Sequence, residues 1–168
     1  MLILGVTFLT AMLIPQVSTH THRGGAIAAA TRAQYSNYIN ALELFRGEYK
    51  DYPSIFDDNG ELHLSVYPNS QLLIEALSGL NGDGESIAAH GNHRAIRFYS
   101  FAESEVTSEL GFPQIIDRAG NSSIVICVDH DNDGVITVLY GDEREEIRAR
   151  VTAYSLDKEG KVVIKMWH

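Results

Sequence analysis

The first 53 residues constrain this chain most, because they read as one helical stem without a linker. From Leu2 to Ile14 the sequence is apolar apart from two threonines and a glycine. Pro15 interrupts it, and a second helical stretch runs to Tyr52-Pro53. The apolar run is 13 residues long. At about 1.5 Å rise per residue it covers about 20 Å, whereas a hydrocarbon core about 30 Å thick needs about 20 residues. Three readings of it stand open: a cleaved signal, a retained anchor or stem, and a buried core helix. The length suits the core of a cleaved signal peptide. Against that, no basic residue precedes the run, Pro15-Gln16-Val17 is no small-residue cleavage site, and the chain beyond it is patterned as helix. Those features favour a retained anchor or stem.

Gly24-Gly25 weakens the helical pattern locally. Beyond it, Tyr35, Tyr38, Ile39, Leu42, Phe45 and Tyr49 recur at helical spacing and form one apolar stripe. Arg32, Gln34, Asn37, Glu43 and Arg46 fall largely off it. A proline disfavours helical geometry at the residue before it, so Tyr52-Pro53 is expected to end the helix. The stripe is expected to pack on a sheet. The organisation expected is an apolar N-terminal helix over residues 1–25 and a globular domain over residues 26–168 that includes the amphipathic half of the stem.

The rest of the chain is patterned for short elements. Residues 61–67 suit a strand. Asn69 or Ser70 can cap a helix over residues 71–77 that ends near Gly79. Residues 95–101 suit an extended segment, and residues 104–110 a helical turn. Residues 123–128, 135–140, 147–155 and 162–167 are rich in β-branched and aromatic residues and are separated by turns. Sequential short strands are most simply joined as an antiparallel meander. The fold class expected is therefore α+β, a long N-terminal helix on a small antiparallel sheet.

The formal charge of −9 leaves no basic footprint, which argues against a nucleic-acid partner. The single cysteine, Cys127, lies in the apolar run 124–128, where it reads as a buried, inert thiol. The sharpest local motif is Asp129-His130-Asp131-Asn132-Asp133-Gly134. Carboxylates at alternate positions followed by glycine match the first half of a calcium loop. The second half departs: Tyr140 stands where a bidentate glutamate belongs, and a strand comes next. Asp129, Asp131 and Asp133 are thus candidate calcium ligands, and the bare acidic turn is the competing reading. His20/His22 and His90/His93 lack a zinc-type partner set. No nucleophile elbow or phosphate loop is present, so an enzyme is not expected.

Three stretches together resemble the type IV pilin and pseudopilin superfamily, in particular the major pseudopilins of type II secretion. They are Ile3-Leu4-Gly5 with Met12-Leu13-Ile14-Pro15; then Tyr38, Ala41-Leu42, Phe45, Tyr49 and Tyr52-Pro53; then the run from Asn69 to Gly79 together with Ala153-Tyr154-Ser155-Leu156-Asp157 and Ile164, Lys165 and Trp167. The resemblance implies a pilin-like fold and a structural role in a secretion or pilus-like filament. Implied partners are other pseudopilin subunits and an inner-membrane assembly platform. The implied location is a single pass through a bacterial inner membrane by way of Leu2 to Ile14, with a periplasmic head. The family's Gly-Phe cleavage motif and the glutamate after it are not found, and are expected either upstream of Met1 or lost. The family's calcium site is degraded here, with Val162 and Val163 in place of paired aspartates. The alternative function is a secreted or periplasmic calcium-binding β module behind a signal peptide.

Overall fold

The computed structural model describes residues 19–141 and 143–167, with side chains placed from Gly24 onward. Helix α1 spans Thr19–Tyr49 and runs through Gly24-Gly25 without a break. Its buried positions include Tyr35, Tyr38, Leu42 and Phe45, as the stripe predicts, with Ile39 and Tyr49 half-buried. Gln34, expected off the stripe, is also buried. Its Nε2 donates to the Tyr38 hydroxyl at 2.7 Å and to the Ile116 carbonyl at 2.9 Å, while its buried Oε1 has no partner among the described residues. The helix ends earlier than Pro53 predicts. Lys50 adopts a positive φ of 68°, and its N–H closes on the Arg46 carbonyl at 2.8 Å, a left-handed stop of the kind that terminates many helices.

Strand β1 (Glu61–His63) is followed by helix α2 (Asn69–Ser78). Neither Asn69 nor Ser70 caps α2. The Ser70 hydroxyl instead donates to the Leu64 carbonyl at 2.8 Å and accepts the Ile115 N–H at 3.0 Å, tying the segment after β1 to residues 114–115. Gly79 ends α2 in the left-handed region, as expected. Residues 95–101 form no strand. A short 3₁₀ turn (Glu103–Glu105) leads into the two-residue strands β2 (Val106–Thr107) and β3 (Gln114–Ile115). Strands β4 (Ile124–Val128), β5 (Ile136–Tyr140), β6 (Glu143–Ile147), β7 (Val151–Leu156) and β8 (Val162–Lys165) complete the chain.

These elements overturn two expectations. The strands are not a meander: the main sheet has the order β1-β4-β7-β8, all neighbours antiparallel. The hairpin β5-β6 is a separate two-stranded sheet, interposed in sequence between β4 and β7, and β2-β3 is a third. The pilin-like fold class is corrected accordingly. Helix α1 is followed by a sheet-rich region of eight strands in three sheets that also holds α2, in place of one long helix on one small sheet. The physical cause lies in β4, where all five side chains are buried. Ile124, Ile126 and Val128 join the core under α1, whereas Val125 and Cys127 join a second core with Ile136, Val138, Ile147 and Tyr154. Successive strand residues point to opposite faces. A strand apolar on both faces needs a cover on each, and the β5-β6 ribbon is the second cover. Strand β6 is hidden in the sequence because Glu143-Arg144-Glu145-Glu146 has a turn's composition. Its pairing with β5 and the inward Ile147 hold it extended.

The expected single-pass membrane location is also corrected. No helix among the described residues is long and apolar enough to cross a membrane. The run at residues 2–14, which carries the anchor expectation, lies outside the described residues, as do the side chains of His20 and His22.

Candidate metal centre

The loop from Asp129 to Gly134 joins β4 to β5. β4 places Asp129 at its end, where the residue is only 4% exposed, while Asp131 and Asp133 face solvent. One carboxylate oxygen from each of the three lies within 4.8 Å of the others, so the structure brings together the three residues singled out by sequence. Two residues with positive φ, Asn132 (61°) and Gly134 (85°), bend the loop into this shape.

The loop also closes on itself. The two oxygens of Asp129 accept the N–H groups of Asp133 and Gly134, both at 3.1 Å. Asp133 accepts the N–H of Val135 at 2.7 Å. A carboxylate has about four acceptor positions, so these bonds leave lone pairs free for a hard cation. The turn also holds its shape through backbone donors. Helix α1 steadies it from outside. Arg46 donates to the Asn132 side chain and lies over the Tyr52 ring, 5.3 Å from its centroid. The Tyr52 hydroxyl donates to the Arg150 carbonyl at 3.0 Å, and that carbonyl also accepts the Asp129 N–H at 2.8 Å. Burial is the main reason that the Tyr52 phenol is pushed up to about 12.

An open cleft of about 510 Å³ lies beside the loop, and Asp58, Glu61, Asp131, Asp133 and Glu146 contribute acid to its wall. Around it, His63 is 3.0 Å from Glu61, and this hydrogen bond raises the imidazole above its usual range. The other histidine motif does not assemble a metal set. His90 bonds Glu75 at 3.0 Å, and His93 packs edge-on to Tyr49. Cys127 is fully buried, and desolvation pushes its thiol up, the opposite of a nucleophile's tuning.

A repeated device went unread in the sequence. Four five-residue loops, starting at Asp57, Asn81, Asp117 and Asp157, share one hydrogen-bond pattern. In each, the first side chain accepts the N–H groups two and four residues on, at 2.8 to 3.0 Å. In each, the first N–H donates to the fifth carbonyl, and the fourth residue is a glycine donating to the first carbonyl. Those glycines, Gly60, Gly84, Gly120 and Gly160, have φ between 75° and 80°. The signal was present as Asp or Asn followed by glycine three places on, a turn chemistry with a mechanism. Asn121, which begins the formal glycosylation sequon Asn121-Ser122-Ser123, closes the third of these loops, and its amide donates to the Leu156 carbonyl at 2.9 Å.

No known family, curated protein or solved structure matches the chain. The comparisons thus provide no link to pilins or pseudopilins. Together with the membrane result, this corrects the secretion-system and membrane labels drawn from the resemblance, and no match supports the calcium label drawn from the motif at residues 129–134. Among the described residues there remain three convergent carboxylates with no identified ligand.

Proposed function

We propose that this chain is a structural, assembly-forming subunit and not an enzyme, and that α1 joins it to further copies or related subunits. The reading drops the membrane tether. One observation carries it: α1 has two unlike parts. From Thr31 to Phe45 a buried residue recurs every turn against the core, but residues 24–30 contain none. Ala28 still touches the core, but the rest of this stretch continues past the last buried turn, and its exposed face is surface available to another subunit. The groups with the largest shifts agree with a non-catalytic head. Tyr35, Tyr38, Cys127 and Tyr154 are all raised chiefly by burial in the core. Catalytic tuning usually adds a charged partner in a cleft.

Cross-linking tests this directly. Cys127 is buried and is the chain's only cysteine, so Ala29→Cys introduces one accessible thiol on the uncovered part of α1. Mild oxidation of the full chain should give disulfide-linked pairs, with a concentration-dependent sedimentation coefficient in the parent protein. A parent that stays monomeric at every concentration, with no cross-link in the variant, sinks the reading.

A second reading has its own observation. The convergence of Asp129, Asp131 and Asp133 favours a hard divalent cation at the β4-β5 turn. Calorimetric titration of the full chain with calcium and with magnesium checks it. Heat that disappears in Asp131→Asn/Asp133→Asn supports the site, and no heat at millimolar ion rejects it.

A further inference from the structure

The chain holds two Asn-Gly pairs, Asn59-Gly60 and Asn81-Gly82. By sequence alone they are equally prone to deamidation. In that reaction the glycine's backbone nitrogen loses its proton and attacks the asparagine side-chain carbonyl carbon. Ammonia leaves, and a five-membered imide remains. Water then opens the imide at either carbonyl, giving aspartate or its backbone-lengthened isomer, isoaspartate. The reaction needs a glycine nitrogen free to move onto the side chain.

The fold treats the two pairs differently. Asn59 and Gly60 occupy the third and fourth places of their loop. The Gly60 N–H donates to the Asp57 carbonyl at 2.9 Å, and its carbonyl accepts the Val128 N–H at 2.8 Å. Gly60 is buried, and a Cβ there would collide with the Val128 carbonyl oxygen. Asn81 and Gly82 occupy the first and second places. The Gly82 N–H donates to no acceptor among the described residues, the glycine is exposed, and a Cβ on it would meet nothing within 4 Å. The Asn81 carbonyl oxygen accepts the N–H groups of Asp83 at 3.0 Å and Glu85 at 2.8 Å. Two donors on that oxygen draw electrons from the carbon to be attacked.

We propose that Asn81 is a site of spontaneous deamidation in the folded protein, that Asn59 is protected from it, and that the fold accepts the aspartate product. Acceptance follows from the sister loops. Asp57, Asp117 and Asp157 already fill the place of Asn81 and make the same two bonds. The 3.3 Å contact from the Asn81 amide nitrogen to Glu85 is lost and a carboxylate oxygen faces Glu85 instead, the same pair of acids that Asp57 and Glu61 place in the first and fifth positions of their loop. The isoaspartate product is different. Its extra main-chain carbon breaks the register in which Asn81 N–H meets the Glu85 carbonyl and Ile87 N–H meets that of Gly79. Modification therefore has a silent branch that adds one negative charge and a disruptive branch that opens the loop after α2.

Incubation of the full chain at mildly alkaline pH, followed by peptide mapping, tests the proposal. The Asn81 peptide should gain the mass difference between amide and acid first. Its rate should exceed that at Asn59 by about fivefold or more, the factor that one hydrogen bond of ordinary net strength puts on local opening. In guanidinium the two sites should react alike. Equal rates in the folded protein, or no conversion at Asn81 over a time that converts it in guanidinium, overturns the site assignment. Asn81→Asp should keep the parent's melting temperature and hydrogen-exchange pattern over residues 79–87. Loss of protection there overturns the acceptance of aspartate.

Discussion

The two faces of β4 are covered by different means. On one face, α1 brings Tyr35, Tyr38, Leu42 and Phe45 down in a continuous row, and Phe98, Tyr99 and Phe101 pack around them. Tyr38 meets Tyr99 edge-on at 5.3 Å between centroids, and Phe45 meets Phe98 at 5.2 Å. The other face is closed by a two-stranded ribbon supplying Ile136, Val138 and Ile147, with Tyr154 from the sheet itself. A helix brings its own backbone hydrogen bonds to a core, but a lone hairpin is marginal in water and needs the face it covers. The difference teaches that the helical face should carry most of the stability, while the ribbon face should open first.

The largest test of that contrast is Leu42→Ala. Leu42 is fully buried under α1, and truncation of such a residue costs about 2–5 kcal/mol. Denaturant titration should show one transition moved far to lower midpoint. Ile136→Val, on the ribbon face, should cost about 0.5–1.5 kcal/mol. Hydrogen exchange should speed up in β5 and β6 while β4 and β7 stay protected. If both variants loosen both faces equally, the two covers are one cooperative unit and the contrast fails. Asp157→Ala removes the acceptor of two N–H groups at the β7-β8 turn. Each such bond contributes about 0.5–1.5 kcal/mol net, and the loss should show as exchange at β8 alone.

The smallest effect is pH dependence. His63 has its folded value raised above 6.5, chiefly by the hydrogen bond to Glu61. A raised folded value means that the pair's contribution is fully present below about 6.5 and fades as pH rises through the folded value. Because the imidazole is substantially exposed, the effect is small. His63→Gln should narrow the melting-temperature gap between mildly acidic and mildly alkaline buffer, and an unchanged gap removes the pair from the account.

The helical face was legible in the sequence because α1 meets a single partner surface, so burial repeats with the helix. Gln34 was the exception, since a partner of its amide nitrogen, the Ile116 carbonyl, lies far along the chain. The ribbon face was partly legible. β5 announces itself, but β6 is four charged residues and one isoleucine, and only its partner makes it a strand. The full apolar run of β4 was visible without its meaning, because periodicity cannot say that a second cover exists. The three aspartates were found by spacing alone, since their ligand atoms come from a single turn. Their tie to Arg46, 86 residues from Asn132, is a product of the fold.

Strand β4 has β1 on one edge, β7 on the other, and a core on each face. Its backbone pairing should be lost late, but its ribbon-side residues, Val125 and Cys127, are uncovered as soon as β5 and β6 lift away. The one sulfur in the protein able to react with a thiol reagent sits at its fourth residue. Cys127 is therefore a built-in clock. Its labelling rate in native buffer should report how often the β5-β6 cover opens, so variants on the ribbon face can be ranked without adding a probe.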